Sequence, residues 1–532
     1  MDYLRREGRG ADQRYRSRPL GADMTVADPA EGFGRQIRSG LGWSFASNVL
    51  SRMGTLVAGV VLARLLVPTD YGEFTVALVA MVVLANINDL GIEQTIVRWP
   101  GSVERIGPTA VTVIFLFSLM LAAAGVAGAG AFAAAMDAPE ATRIVQLLAL
   151  SIAVNGAFAV PSAMLTRSFR QDLRTAADLT GFVVGTTITI VLAIMGYGAW
   201  SFAWGRLVGN TVVGILHLVL TPRRFRPGWD TSIVRELLAS SLPLGGATVV
   251  AVLLLNVDYI VVGRMLGTQD LGYYTLAFNL ASWPVTFFAV AVARVSVPAF
   301  ARLQHDLPRL QRAYDHTSVL LLLVTVPVCL LLGSLADPLV RFVYGDKWAP
   351  AATVLQFLAA LGLLRVLYQF WADVLVAVGS SRRVLVTQLA WLCALVPGLT
   401  FATRDGLPGV GIAHVLVAVL VVGPVYVFAL RGIVRPGATA PQGLRLLVGA
   451  VVSGVAGWLI AQLPWSSFAV LALGTPVVLG IYAVMAYPLA KGEGYDIRRL
   501  TGLARQGAGR LRRHPSPGAD DTSGAGRAAS GE

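Results

Sequence analysis

The side chains best suited to chemistry in this sequence are charged residues that interrupt long apolar runs. Four are arginines and three are carboxylates: Arg52, Arg206, Arg294 and Arg365, and Asp89, Glu93 and Asp258. A guanidinium group binds phosphate or carboxylate through two parallel hydrogen bonds. A carboxylate in apolar surroundings can bind a cation or a proton, and Asn48 adds a neutral amide near Arg52. These residue types predict non-covalent binding of charged groups.

Several catalytic and metal-binding classes lack their residues. Neither lysine, Lys347 or Lys491, follows a phosphate-binding glycine loop, and the five histidines form no H-x-x-x-H pair. Cys329 and Cys393 are far apart in apolar runs. The largest outer connection, residues 337–349, is too short for an extramembrane catalytic domain. We therefore expect no enzyme activity, no cofactor and no metal site.

The elements that must position the charged residues are membrane-spanning helices. The chain has 532 residues, of which 55% are hydrophobic and 14% charged, with a mean hydropathy of +0.66. A helix needs about 20 apolar residues to cross a bilayer, and runs of that length recur from Leu41 to Leu489. The pattern predicts an all-α polytopic protein with about fourteen spans: 41–67, 71–97, 108–136, 142–166, 175–196, 198–220, 236–266, 271–301, 316–336, 350–378, 384–403, 408–431, 444–463 and 467–489.

The spans group into two six-helix halves and a C-terminal pair. We predict an N-lobe at residues 41–220, a C-lobe at 236–432 and the helix pair at 443–489. A basic linker at 221–235 joins the lobes. Basic tails at 1–40 and 490–532 have no apolar periodicity, which is typical of disordered cytosolic segments.

Basic residues predict the orientation, because lysine and arginine are retained on the cytosolic side. The tails and even-numbered connections hold 33 of the 43, counting Arg431 and Arg445 at their edges, and the odd-numbered connections hold 3. The expected location is thus a bacterial cytoplasmic membrane with both termini in the cytosol. The net charge of +13 follows from this topology, so we expect no nucleic-acid partner.

An internal repeat relates the halves. Residues 62–77 and 262–277 share six residues at an offset of 200: Arg64 and Arg264, Leu66 and Leu266, Asp70 and Asp270, Gly72 and Gly272, Thr75 and Thr275, and Ala77 and Ala277. A weaker repeat places Gly196 on Gly406. Each half begins in the cytosol, which predicts parallel repeats about a central cavity, related by a two-fold axis along the membrane normal.

The repeated residues have a structural interpretation. We expect Arg64 and Arg264 to bond carbonyl groups at helix ends or to extend toward water. Asp70 and Asp270 are expected to cap the next helix, and Gly72 and Gly272 to allow close helix approach. His217 and His414 are interpreted as core histidines.

The intramembrane charges are expected to face the central cavity. Position along the spans places Arg52 and Arg365 near mid-bilayer and Arg206 and Arg294 in the cytosolic half. Asp258, Asp89 and Glu93 are candidates for ion coupling. A buried ion pair is the alternative for Asp258 and for the arginines.

Three segments carry a family resemblance. They are LARLLVPTDYGEF from residue 62, LLNVDYIVVGRMLGTQDLGYYTLAFNLASWPV from residue 254, and ADPLVRFVYGDKWAPAATVLQFLA from residue 336. The chain resembles the polysaccharide transporters of the oligosaccharide-flippase group, the Wzx-type or O-antigen flippases. The resemblance implies the multidrug/oligosaccharidyl-lipid/polysaccharide exporter fold.

The resemblance also implies a function in polysaccharide or lipopolysaccharide biosynthesis. The expected cargo is a polyprenyl-diphosphate-linked oligosaccharide, moved from the inner to the outer leaflet among membrane lipids. A multidrug or small-molecule cation antiporter, a peptidoglycan-precursor flippase and a non-transporting scaffold are the alternatives. A polysaccharide polymerase or glycosyltransferases are candidate partners of the last two spans and the tails.

Overall fold

The computed structural model describes residues 54–89, 92–99, 101–286, 290–435 and 440–492, and the regular structure there is helical. The α-helices are α1 (Gly54–Leu65), α2 (Pro68–Asp89), α3 (Ile92–Arg98), α4 (Val103–Ala135), α5 (Thr142–Arg167), α6 (Gln171–Ile194), α7 (Trp200–Leu220), α8 (Thr231–Ala281), α9 (Val290–Leu303), α10 (Leu307–Ser334), α11 (Ala336–Tyr344), α12 (Ala349–Ala377), α13 (Ser381–Ala402), α14 (Gly406–Val417), α15 (Gly423–Leu430), α16 (Ala440–Ala461) and α17 (Ser467–Gly492).

Ten stretches of the described chain are long and apolar enough to cross a membrane. One of them, Ser381–Leu430, contains two predicted spans, because a short turn at Thr403–Asp405 separates α13 from α14. The all-helical polytopic fold is confirmed. The count of fourteen stays a prediction, and the predicted tails lie outside the described residues apart from 490–492.

The predicted span 71–97 contains α2 and α3, and residues 90 and 91 between them lie outside the described residues. Two other predicted spans differ from the helices. The predicted spans 236–266 and 271–301 begin within one element, α8, whose backbone departs from helical geometry at Gly267. Gly267 has φ 86° and ψ 178°, a conformation that side-chain-bearing residues rarely adopt. Glycine there lets the chain reverse between the two spans.

Local sequence fixes the start of α8. Asp230 precedes the helix, and its carboxylate accepts hydrogen bonds from the backbone nitrogens of Ser232 and Ile233. The Ser232 hydroxyl donates to the same carboxylate at 2.6 Å, and these bonds hold the pKa of Asp230 below its usual range. This cap separates the polar linker from the apolar helix.

The two repeat turns pack against each other where the lobes meet. A Cβ atom on Gly72 would overlap the carbonyl oxygen of Thr268, and one on Gly272 would overlap that of Pro68. The hydroxyls of Thr75 and Thr275, 200 residues apart, are buried 3.1 Å from each other. A local two-fold axis between the turns produces reciprocal contacts of this kind.

The repeated arginines bond across the lobe boundary. Arg64 donates from Nε to the Val343 carbonyl at 2.8 Å and from Nη2 to the Phe342 carbonyl, near the C-terminus of α11. Arg264 donates to the carbonyls of Ala134 and Ala135 at the end of α4. In each case a cation from one lobe binds helix-end carbonyls of the other.

Trp348 completes this contact between the lobes. Its ring is fully buried, and its Nε1 donates to the carbonyl of Ala63 at 2.7 Å. The rings of Tyr71 and Tyr273 pack edge-on against it from the two lobes. The end of the bundle that carries the repeat turns is therefore closed.

The last two helices pack away from the lobe boundary. Helices α16 and α17 pack on each other and on α10 and α11. Their outer faces expose large apolar side chains such as Leu459, Phe468 and Val484. Such a surface suits contact with lipid or with another membrane helix.

Candidate functional site

A central cavity of about 680 Å³ lies below the repeat turns. Its walls come from α1, α2, α6, α7 and the second part of α8. Among its described lining residues, Arg206 is the one basic side chain and Asp178 the one carboxylate. The described chain places no carboxylate within 4 Å of Arg206, whose side chain is exposed to the cavity. Among the described residues, the cavity thus presents one cation without a carboxylate partner.

If the repeat turns face outward, as the basic residues predict, Arg206 does not lie in the cytosolic half expected for it. Helix α7 begins at Trp200, only six residues before Arg206, and the preceding Gly198 lies against the Asp70 carboxylate of the repeat turn. Arg206 is therefore in the half of the bundle that carries the repeat turns, whereas the expected cytosolic half is the other one.

Arg365 lies in a separate pocket inside the C-lobe. This pocket measures about 140 Å³ and is also lined by Asp258, Gln369, Gln388 and His414. Arg365 sits over the Phe278 ring, 5.0 Å from its centroid, and its Nη1 donates to the Ser282 hydroxyl at 3.4 Å. Among the described residues, no carboxylate lies within 4 Å of the Arg365 guanidinium group.

Helix α8 separates the two cavities. Phe278 and Ser282 are four residues apart and share the face toward the C-lobe pocket. Thr275, Asn279 and Trp283 lie on the face toward the central cavity. Arg206 and Arg365 are consequently on opposite sides of this wall.

Asp258 belongs to a buried hydrogen-bonded chain. Its Oδ2 accepts from the Tyr274 hydroxyl at 2.7 Å, and that hydroxyl lies 2.9 Å from Nε2 of His414. The second oxygen, Oδ1, and the other ring nitrogen, Nδ1, are buried without partners in the described chain. The chain Asp258–Tyr274–His414 can hold or pass a proton where water is excluded.

Sequence reasoning missed Tyr274 and treated His414 as a core residue. One signal was available, since the repeat pairs Tyr274 with Phe74 and so adds a hydroxyl to only one half. A hydroxyl added in a buried position calls for a partner. The partner could not be found from spacing, because His414 is 140 residues away.

The remaining predicted carboxylates lie in the N-lobe. Glu93 in α3 is 3.3 Å from Nη2 of Arg174 and accepts from the Ser162 hydroxyl at 3.2 Å. Asp89 is the last residue of α2, and its side chain lies outside the described part of the structure. Nε2 of His217 is 3.4 Å from Asp178, although its geometry does not make a hydrogen bond.

The other predicted binding residues are not described. Arg52 and Asn48 precede residue 54, and Arg294 is in α9 with its side chain outside the described atoms. Asp270 lies in the second repeat turn, where burial raises the pKa of its carboxyl group. Within the described ranges, no group of three or more His, Cys, Asp or Glu residues could hold a metal ion.

The arrangement defines a class of protein. Many apolar helices, two lobes in contact at one end, and a cavity between them lined by a charged residue are the features of a polytopic membrane transporter. Residues 61–353, more than half of the chain, match the polysaccharide biosynthesis protein family. The chain belongs to this family, and the resemblance seen in its sequence is confirmed.

Named relatives cover most of the chain. The succinoglycan biosynthesis transport protein ExoT of Rhizobium meliloti (strain 1021) is 26% identical over 391 residues, covering 68% of this chain and 77% of that protein. The lipopolysaccharide biosynthesis protein WzxC of Escherichia coli (strain K12) is 26% identical over 344 residues, covering 62% and 67%.

Solved structures show the same fold. The lipid II flippase MurJ in an inward closed conformation has a TM-score of 0.70 at 13% identity, covering 84% of this chain and 98% of that one. An inward-facing multidrug resistance MATE family transporter of the MOP superfamily has a TM-score of 0.56 at 15% identity, covering 71% and 94%. The predicted exporter fold is confirmed.

Proposed function

We propose that this protein moves a polyprenyl-diphosphate-linked oligosaccharide from the inner to the outer leaflet of the bacterial cytoplasmic membrane. The observation that carries the proposal is the guanidinium of Arg206, which lines a cavity between two lobes and has no carboxylate within 4 Å among the described residues. A diphosphate is a strong anion whose oxygens match the donor fork of arginine. Family relatives named for polysaccharide and lipopolysaccharide biosynthesis support the choice of glycan.

The physical task is to move a polar head group through an apolar layer. An ion at mid-bilayer is costly unless a cation and other polar groups surround it. Arg206 supplies that charge in the central cavity, and the lipid tail stays in the bilayer. Arg52 and Arg294, with Asn48, are proposed as further contacts from the parts of the chain that are not described.

Ion coupling is proposed at Asp258. Its carboxylate is buried, accepts one hydrogen bond from Tyr274 and keeps a free oxygen. Taking up a proton or cation there would change the charge beside Arg365, which lines the same pocket. Asp89 stays a candidate for this role, while the pairing of Glu93 with Arg174 gives Glu93 a structural use in this conformation.

The proposed location and partners agree with this function. The division of basic residues supports both termini in the cytosol. A polysaccharide polymerase or glycosyltransferases are proposed to bind the tails or the exposed face of α16 and α17. The protein acts on its cargo without a catalytic step.

A peptidoglycan-precursor flippase is the second candidate. The likeness to the MurJ fold favours it, and its cargo carries the same lipid diphosphate chemistry. A small-molecule cation antiporter is less suited to the central cavity, because the one carboxylate described there, Asp178, lies beside His217.

The test is export in cells that lack their own flippase. We expect the full chain to restore lipid-linked oligosaccharide on the outer leaflet, measured by glycan labelling of intact cells. Arg206→Gln should lower that signal at least ten-fold at an unchanged protein level. The matched control is Arg431→Gln, whose exposed side chain stacks on Phe428 away from the cavity.

Each outcome of this test is informative. Normal export by Arg206→Gln would refute the diphosphate contact. Rescue of cells that lack the peptidoglycan-precursor flippase, without rescue of cells that lack the oligosaccharide flippase, would establish the second candidate.

A further inference from the structure

A third cavity, of about 260 Å³, lies inside the N-lobe and is called here the amide pocket. It is lined from α2, α3, α4, α5 and α7. Three asparagines face it, namely Asn88, Asn155 and Asn210, together with Glu93, Ser162, His217 and the ring of Phe158. Hydrogen-bonding groups beside an aromatic face describe a site for a polar ligand that also has apolar surface.

Two of the amides have unused hydrogen-bonding capacity. Asn155 and Asn210 have no hydrogen-bond partner among the described residues. Each carries two donor hydrogens and an acceptor oxygen. By contrast, Asn88 is buried and already accepts from the Ser118 hydroxyl at 2.6 Å. The free groups therefore belong to the cavity and not to the packing around it.

The walls of the amide pocket depend on two glycines. A Cβ atom on Gly156 would overlap the Ser118 hydroxyl that holds Asn88. One on Gly214 would overlap the Phe158 ring. Glycine at both positions lets the ring and the amide sit where they face the cavity.

The charges around the amide pocket favour a neutral ligand. Its described carboxylate, Glu93, is paired with Arg174 at 3.3 Å. An anion would be repelled by that carboxylate, and a cation would have to displace the arginine. A hydroxyl group, which both donates and accepts, matches free amides without disturbing the pair.

The amide pocket adjoins the proposed diphosphate site. Arg206 and Asn210 are four residues apart in α7 and share one face of the helix. Both line the central cavity, and Asn210 with Val213 also lines the amide pocket. A group attached to a diphosphate at Arg206 would thus reach Asn210 first.

We propose that the amide pocket binds the sugar next to the diphosphate, through hydroxyl groups that bond Asn155 and Asn210. This inference rests on the proposed function and names a part of the substrate that sets specificity. The volume of the amide pocket, about 260 Å³, suits one sugar residue and is too small for a whole repeat unit. Loss of a hydroxyl from the cargo would leave these amides unpaired, which is how such sites discriminate.

The test measures binding to the purified full-length protein in nanodiscs. The probes are undecaprenyl diphosphate and the same lipid carrying glucose, galactose or N-acetylglucosamine on its diphosphate. We expect at least one sugar-bearing lipid to bind about ten-fold more tightly than the sugarless lipid, as one or two net hydrogen bonds provide.

Substitutions separate the sugar from the diphosphate. Asn155→Leu and Asn155→Ala should reduce the preference for the sugar-bearing lipid below about three-fold and leave binding of undecaprenyl diphosphate unchanged. Asn86→Leu is the matched control, because the Asn86 amide is occupied by the Val82 carbonyl of its own helix at 2.7 Å. Unchanged binding of the sugarless lipid shows that each variant is folded.

The failure of this inference differs from the failure of the proposed function. If no sugar-bearing lipid binds more tightly than the sugarless one, or if both Asn155 variants keep the preference, the sugar site is refuted. In that case Arg206→Gln should still weaken the binding of all four lipids. If the wild-type protein binds none of the four lipids, the proposed function itself fails.

Discussion

At the scale of single residues, the charge of Arg365 is satisfied without an ion pair among the described residues. Its guanidinium group contacts an aromatic ring and a hydroxyl, and none of the described carboxylates lies within 4 Å. An ion pair would have satisfied the charge locally. Its absence from the described structure favours a binding role for this cation over a packing role.

We expect Arg365→Gln to reach normal protein levels and to lower outer-leaflet lipid-linked glycan at least ten-fold. Arg365→Lys should keep part of the activity, because lysine retains the charge without the donor fork. Protein level and leaflet-resolved glycan are measured in the same cells. A low protein level for Arg365→Gln that Asp258→Asn restores would instead establish a folding pair.

Tyr274 is the residue on which the buried Asp258 depends. Replacing it with phenylalanine removes the donor to Oδ2 and leaves both carboxylate oxygens without a hydrogen-bond partner among the described residues. Tyr274→Phe should lower the free energy of unfolding by about 1–3 kcal/mol, measured by denaturation in detergent. Tyr273→Phe is the control, since its hydroxyl accepts a 3.2 Å bond from the Gln269 amide and supports no buried carboxylate. Equal stability of the two variants would contradict the assigned role of Tyr274.

At the scale of elements, the packing of α2 on α8 is set by two glycines. Gly72→Ala and Gly272→Ala should each destabilise the protein by about 1–3 kcal/mol, because the added methyl overlaps a carbonyl oxygen of the opposite turn. The reciprocal contacts predict similar losses for the two variants. Thermal unfolding in detergent measures them.

Gly59→Ala provides the matched control for this pair. Gly59 is also within an apolar helix, α1, but a Cβ atom there meets nothing within 4 Å. Alanine should be neutral or slightly stabilising at that position. A large loss at Gly59, or none at Gly72, would show that close approach is not what these glycines provide.

Many of the helices and the two repeat turns could be predicted from the sequence. Hydropathy located some helices within a few residues, as for the predicted 142–166 and the observed Thr142–Arg167, whereas α10 begins at Leu307, nine residues before its predicted span 316–336. The repeat identified the turns because close backbone approach demands the same small residue in both copies.

Less of the candidate site could be predicted from the sequence, for a physical reason. Spacing along one helix is visible in a sequence. The four-residue spacing of Arg206 and Asn210 therefore indicates that they share a helix face. Which cavity that face lines depends on how the helices pack around it. Arg365 and Arg206 were predicted for one cavity, and the face of α8 that divides them is set by contacts between helices far apart in the chain.

At the scale of the whole molecule, the orientation of the bundle is open to direct test. The turn at Gly267 and the turn at Asp405 are predicted to face the outer side, because the basic residues collect at the other end. Reporter fusions after each of these residues should give the outer signal. A cytosolic signal from either fusion would overturn the predicted topology.

Alternating access requires the closed end to open, and the contacts there cross the lobe boundary through Arg64 and Arg264. Hydrogen bonds from charged donors are worth about 1.5–3 kcal/mol each, so their loss should shift the population toward an open end by about ten-fold or more.

A cysteine at Leu78, which lines the central cavity beneath the turns, reports this opening once Cys329 and Cys393 are replaced by alanine. We expect an impermeant maleimide added outside intact cells to label it about ten-fold faster in the double variant Arg64→Gln, Arg264→Gln. Arg341→Gln is the control, because this arginine pairs within its own lobe with Asp337 at 2.9 Å. An equal rise in that control, or no rise in the double variant, would mean that the two repeated arginines do not hold the lobes together.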